Sequence, residues 1–147
     1  MPKRRDARKA ALQMLYLLDQ NPDADLNRIH RNLTTEIVEP SLVQFAWSLV
    51  NGVQQHRPAL DDAIRRTARN WKLERMAPTD RNVLRMGLYE LQQMGTPAPV
   101  VLNESIEIAR EFGTAQSAAF VNGILDKLAG ETAARVAPAA ETGESTN

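Results

Sequence analysis

The chain contains no cysteine, which excludes a disulfide framework, a thiolate metal site and a cysteine nucleophile. No run approaches the about 20 apolar residues that a membrane-spanning helix needs. Its two histidines, His30 and His56, lack the spacing of metal ligands, and there is no glycine-rich phosphate loop. We therefore expect a cytoplasmic protein without a metal, a cofactor or a membrane partner.

Charge balances over the whole chain, with 18 Lys plus Arg against 18 Asp plus Glu, but it is unevenly distributed. Among the first ten residues Asp6 is acidic, and the basic residues are Lys3, Arg4, Arg5, Arg8 and Lys9. A basic end on a mildly acidic body is a common arrangement for a nucleic-acid contact. A helix start that only carries solvated charge would show the same pattern. The basic residues alone therefore make this end a candidate nucleic-acid site and no more.

Residues 10–18 follow the basic start and superficially resemble a secretory signal. Gln13 interrupts the apolar run, Asp19 follows it, and no small-residue cleavage site is present. Asp6 and Asp19 also argue against a mitochondrial presequence. We expect no targeting segment here.

Apolar residues recur at helical spacing along the chain, which predicts an all-α protein. Pro58 breaks the pattern in the first half and can begin a new helix. We predict about seven helices, at 4–19, 23–36, 40–57, 58–71, 80–91, 101–112 and 117–128.

The stretch 80–91, DRNVLRMGLYEL, has apolar residues on too many sides for a surface helix, so it should be central and buried. Thr79 is its predicted N-cap. Gly87 costs about 1 kcal/mol relative to alanine, which suggests that a neighbouring helix crosses close to it. Arg81 and Arg85 share one face and must meet either solvent or a buried acid.

From Gly130 onward the chain consists mainly of Ala, Glu, Thr and Pro. Such a composition buries too little apolar surface to offset its ordering entropy. We therefore predict one helical domain over residues 1–129 and a disordered tail over 130–147.

No catalytic constellation is evident. Glu104, Glu107 and Glu111 share a helix face, but none has the histidine three residues later that a di-iron bundle requires, and a solvated acidic face is the simpler interpretation. Asp61 and Asp62 suit the first turn of a helix better than a catalytic pair. We predict no catalytic residue and no enzyme activity.

Four segments taken together resemble the NusB family of transcription antitermination factors. They are RRDAR leading into ALQMLY at 4–16, the stretch 80–91, VLNES at 101–105 and FVNGILD at 120–126. The resemblance covers about residues 3–129. It implies two packed three-helix-type bundles with the basic N-terminal helix on one edge. It also implies binding of the single-stranded boxA element of nascent ribosomal RNA leaders with the ribosomal protein NusE. Other Nus factors and RNA polymerase would be reached indirectly.

The resemblance also assigns roles to individual residues. The arginine-rich motif that contacts RNA matches Arg4, Arg5 and Arg8, and Lys3 and Lys9 extend it. A second RNA-facing segment matches Phe112, Gln116, Ser117 and Phe120. The surface facing NusE matches Tyr16 and Asp80, with Arg81 beside them.

One departure affects the second RNA-facing segment. Ala118 and Ala119 stand where many family members carry charge, so this segment should contribute less electrostatic attraction and the N-terminal helix more. Unpaired RNA is held by phosphate neutralisation and by stacking on aromatic or guanidinium planes. Neutralising about four phosphates would give a log–log salt slope near −3.

Two other interpretations stay open. A similar helical RNA-binding or dimerisation module forms the N-terminal part of ribosomal RNA cytosine methyltransferases, but no cofactor motif follows a strand here. A structural homodimer that hides its basic face would also fit.

Overall fold

The computed structural model describes residues 3–145, with side chains over residues 3–135. Six α-helices and one short 3-10 helix make up this part of the chain, and none of it is strand, which confirms the all-α prediction. The elements are α1 Arg4–Gln20, α2 Leu26–Glu36, α3 Pro40–Thr67, the 3-10 helix Leu73–Arg75, α4 Pro78–Gln93, α5 Ala98–Phe112 and α6 Ser117–Ser145. Over these residues no helix combines the length and the hydropathy needed to cross a bilayer.

The helices form two groups of three. α1, α2 and α3 pack on one another, α4, α5 and α6 do the same, and α4 also lies against α1 and α3. Apolar residues of all six helices belong to one continuous core. The predicted arrangement of two packed bundles is therefore confirmed.

The predicted break at Pro58 is wrong, because α3 runs through it from Pro40 to Thr67. A proline inside a helix removes one backbone hydrogen bond and costs about 3 kcal/mol. Packing on both sides offsets this cost, since Val53 and Leu60 are fully buried. The predicted third and fourth helices are thus one, and six helices replace about seven.

The central helix α4 is buried on most sides, as predicted. Its N-cap is Ala77 rather than Thr79, because Pro78 occupies the first helical position, for which its fixed φ angle is suited. A Cβ on Gly87 would lie 3.0 Å from the Leu125 side chain of α6 and 3.1 Å from the Ser105 hydroxyl of α5. The close helix crossing expected at this glycine is confirmed.

The last helix crosses the predicted domain boundary at residue 129. The Thr132 hydroxyl donates to the Leu128 carbonyl at 2.9 Å, and the Thr67 hydroxyl of α3 donates to the Glu131 carboxylate at 3.5 Å. The chain is therefore helical over 130–135, where disorder was expected. Residues 146–147 lie outside the described residues, and the division into a domain and a disordered tail stays a prediction.

Candidate nucleic-acid interface

The start of α1 places the predicted basic residues in very different surroundings. The Lys3 backbone amide donates to the Asp6 carboxylate at 2.7 Å, which holds this acid in the first turn, where the helix dipole favours it. Beside this turn lies a surface cavity of about 420 Å³, lined by Lys3, Arg4, Arg5, Asp6, Arg8, Val100 and Glu104.

Arg8 is buried, with 4% of its surface exposed. Its Nε and Nη2 each donate to the Glu90 carboxylate of α4 at 2.8 Å. Its remaining terminal nitrogen lies 3.6 Å from a carboxylate oxygen of Glu104. Arg8 therefore ties α1 to α4 in this structure and does not present its guanidinium to a ligand, unlike the solvent-facing contact expected from the motif.

Arg5 and Lys9 are paired with acids of α5. Arg5 donates from Nε and Nη2 to the Glu104 carboxylate at 2.9 and 2.7 Å, yet its side chain is 42% exposed. The Lys9 ammonium lies 2.8 Å from the Glu111 carboxylate. The acidic face of α5 was expected to be solvated, but these two glutamates face the basic helix instead. The hydrogen bonds from Arg5 lower the pKa of the Glu104 carboxyl below its usual value.

Lys3 and Arg4 complete the basic set. Within this basic set Arg5, Arg8 and Lys9 form ion pairs, whereas Lys3 and Arg4 have no carboxylate partner among the described residues. Both side chains are exposed, and the Arg4 guanidinium lies 4.6 Å from the centroid of the Phe45 ring. These two residues and Arg5 are the cations that a polyanion can reach at this edge.

The second predicted RNA segment lies between α5 and α6. Gln116 is exposed, and Phe112 and Phe120 are half-buried against the core. Ser117 is buried, and its hydroxyl accepts from the Thr114 amide at 2.9 Å. Ser117 thus shapes the loop, whereas the other three residues form surface.

The residues matched to the partner-facing surface also differ in how exposed they are. Tyr16 is 44% exposed on α1, and Leu17 beside it is exposed too. Arg81 donates from Nε to the Asp19 carboxylate at 2.6 Å. Asp80 is buried, and its Oδ1 has no hydrogen-bond partner among the described residues. Tyr16 is therefore the residue of this set that a partner can reach most easily.

A buried ionic network lies where α1, α3 and α4 meet, and it answers the question of what Arg81 and Arg85 face. Asp19 accepts from Arg81 and also from the Asn82 amide at 2.9 Å, and Arg85 donates to the Asp61 carboxylate at 2.7 and 3.2 Å. The expected buried acid partners are thus confirmed. Burial raises the pKa of Asp19, but the hydrogen bonds from Arg81 and Asn82 and the charges of Arg81 and Arg85 outweigh it, so the net shift is downward.

Sequence reasoning missed Glu90 and Asp19 as the acids that complete these pairs. Glu90 is buried within an apolar stretch of α4. A charged residue at such a position needs a partner, so its place in the apolar pattern could have identified it as part of an ion pair. Asp19 lies at the end of a predicted helix, and nothing in the sequence pattern there indicated an ion pair. The pairing of Arg8 with Glu90 across 82 positions of sequence could not be read from the pattern alone.

Together these features define an all-helical protein of two bundles, with accessible cations on one edge. The residues that the structure describes contain no group of three or more side chains placed to hold a metal ion. A family model described as the NusB family matches residues 5–130. The transcription antitermination protein NusB of Anaeromyxobacter dehalogenans strain 2CP-1 is 45% identical over 130 residues, covering 86% of this chain and 90% of that protein. The chain therefore belongs to the NusB family, as its sequence motifs indicated.

Solved structures agree with this assignment. T. maritima NusB has a TM-score of 0.79 and 34% identity, covering 88% of this chain and 92% of that one. A chain in the crystal structure of antitermination factors NusB and NusE in complex with double-stranded RNA has a TM-score of 0.78. It is 22% identical and covers 87% of this chain and 96% of that one, so it shows the shared fold. Membership of a family of antitermination proteins agrees with the prediction that the protein is not an enzyme.

Proposed function

We propose that this protein is an antitermination factor that binds the boxA element of nascent ribosomal RNA together with NusE. The observation that carries this proposal is the accessible cationic edge formed by Lys3, Arg4 and Arg5 at the start of α1. A NusB of the same fold has been crystallised with NusE and RNA, which supports both partners. Acting on nascent bacterial transcripts places the protein in the cytoplasm.

The partner surface that we propose is the exposed side of α1 further along the helix. Tyr16 and Leu17 offer an accessible, partly apolar patch there. Arg81 and Asp80 lie in the packed region where α4 begins, so they would support this surface more than form it.

Internal pairing changes the number of phosphates that the N-terminal helix can neutralise. Arg8 is fully engaged with Glu90, and Lys9 is paired with Glu111. Arg5 is likewise held by Glu104, so Lys3 and Arg4 are left to neutralise about two phosphates, which lowers the expected log–log salt slope to about −1.4 for a single strand. A weak complex of that kind explains why a second RNA-binding protein is needed.

The test removes the two cations that lack an internal partner. In Lys3→Ala/Arg4→Ala we expect weaker binding and a salt slope shallower by about 1.4, because each lost phosphate contact removes about 0.7. The measurement is fluorescence anisotropy of a boxA-like single-stranded RNA, titrated with the protein plus NusE over a range of salt concentrations.

The matched control is Arg28→Ala/Arg31→Ala, which removes two exposed cations from α2. It has the same change in net charge and should leave affinity close to that of the wild type. Equal losses in both variants would mean that only overall charge matters. Absence of wild-type binding at low salt would refute the proposal.

Glu104 competes with RNA for Arg5, so its neutralisation should strengthen binding. In Glu104→Gln we expect a severalfold higher affinity and a salt slope steeper by about 0.7, because the Arg5 guanidinium becomes free to bind a phosphate. The control is Glu107→Gln, which removes a charge from the same helix that is paired with Arg110 at 2.7 Å. Equal gains from both changes would contradict a specific competition at Arg5.

A further inference from the structure

Trp71 lies outside the helix in which the sequence pattern placed it. Because α3 ends at Thr67, the ring belongs to the connector before the 3-10 helix, and it is 59% exposed rather than packed in a helical stripe. It contacts the Phe120 ring of α6 edge to face, with ring centroids 5.4 Å apart and an interplanar angle of 83°. An exposed tryptophan beside a half-buried phenylalanine offers a large accessible aromatic face.

A cleft of about 270 Å³ lies between this connector and α6. The aromatic pair lines it, Arg69 and Lys127 stand at its rim, and no carboxylate contributes to its lining. Gly123 forms part of its α6 wall, and a Cβ there would meet nothing within 4 Å. The absence of a side chain at this position therefore leaves the cleft open.

The cations near this cleft are available for a ligand. Arg69 and Lys127 are exposed and form no salt bridge within the part of the chain that the structure describes. The same holds for Arg66, Lys72 and Arg75 in and beside the connector. Three of the five basic residues within 3–9 are paired, so accessible positive charge is at least as abundant here.

We propose that this cleft is a second RNA subsite, in which an unpaired base stacks on Trp71 beside Phe120. Phosphates on either side of that base would contact Arg69 and Lys127. Single-stranded nucleic acid is bound in this way, by aromatic platforms within a positively charged groove. The inference rests on the proposed RNA-binding function. It adds a site outside α1, and Phe120 connects this site to the predicted second RNA-facing segment.

The first test uses the fluorescence of Trp71 itself. The chain has two tryptophans, so Trp47→Phe leaves Trp71 as the only one. We expect its emission to be quenched when a boxA-like single-stranded RNA is added at low salt, since a stacked base contacts the indole directly. Trp71→Phe provides the matched control, because the remaining Trp47 is half-buried against His30, at a ring distance of 4.9 Å, and should not respond.

The second test measures affinity in the presence of NusE. We expect Trp71→Ala to bind about tenfold more weakly, and Trp71→Phe to retain most of the affinity because it keeps an aromatic face. Arg69→Ala/Lys127→Ala should reduce the salt slope by about 1.4, whereas Arg28→Ala/Arg31→Ala should not. Gly123→Leu, which fills the cleft while suiting a helix, should weaken binding as Trp71→Ala does. Unchanged helical circular dichroism shows that each variant is folded.

The possible outcomes separate this site from the proposed function. Wild-type RNA binding without quenching, and with full affinity in Trp71→Ala, would overturn the subsite and leave the N-terminal helix as the RNA site. Equal quenching by a polyglutamate peptide would assign the cleft to an acidic protein partner and overturn the RNA subsite. No RNA binding by the wild type would refute the proposed function and this inference with it.

Discussion

Replacing Glu90 by alanine is expected to lower the free energy of unfolding by about 3–5 kcal/mol. The change leaves the Arg8 guanidinium buried without the carboxylate that accepts both of its hydrogen bonds at 2.8 Å. A buried charge without a partner costs far more than a surface ion pair gains. Urea unfolding followed by circular dichroism measures the loss.

The double variant Arg8→Met/Glu90→Met separates the structural role of Arg8 from a role in RNA binding. Replacing a buried ion pair by apolar residues of similar size is often close to neutral for stability. We expect this variant to fold and to bind boxA-like RNA with NusE as the wild type does. A well-folded double variant with lost RNA affinity would instead support the contact predicted for Arg8 from the motif.

Replacing Asp19 by alanine is expected to cost a similar amount, about 3–5 kcal/mol. The variant removes the acceptor shared by Arg81 and Asn82 at the meeting point of α1, α3 and α4. The control is Asp23→Ala, an exposed acid in the following loop, for which a change within about 0.5 kcal/mol is expected. Equal destabilisation by the two changes would contradict the role given to the network.

The same carboxylate makes stability depend on pH. The pKa of Asp19 in the folded protein lies below its usual value of 3.8, so the folded state favours the charged form. The contribution is complete above the unfolded pKa and is lost as the pH falls through the folded pKa. The free energy of unfolding should therefore decrease below about pH 4, and the decrease should be smaller in Asp19→Ala.

The sequence was most informative where burial follows helical periodicity. The pattern in residues 80–91 predicted a buried central helix, and the helical spacing elsewhere predicted the all-α class. Pro58 was misinterpreted because a local rule was applied without the tertiary packing of Val53 and Leu60 that sustains the helix. Periodicity reports which face is buried, but it does not report how much backbone disruption that burial can offset.

The candidate site was less predictable because charge and accessibility are separate properties. The motif identified Arg4, Arg5 and Arg8 as a set, yet they prove to be exposed, half-exposed and buried. Their partners lie on α4 and α5, far away in sequence, so only the fold decides which guanidinium is free. The helix predicted over 58–71 included Trp71 for a related reason, since the exposure of this residue depends on where α3 ends.

The glutamates of α5 have a consequence for target selection. A basic helix that carries its own counterions gains little from bulk polyanions, because a phosphate must first displace Glu104 from Arg5. Counterion release, which normally drives sequence-independent adhesion to nucleic acid, is correspondingly reduced. Discrimination at this helix then depends on bases and on the second protein, so the helix itself adds little to retention on the abundant transcripts that are not targets.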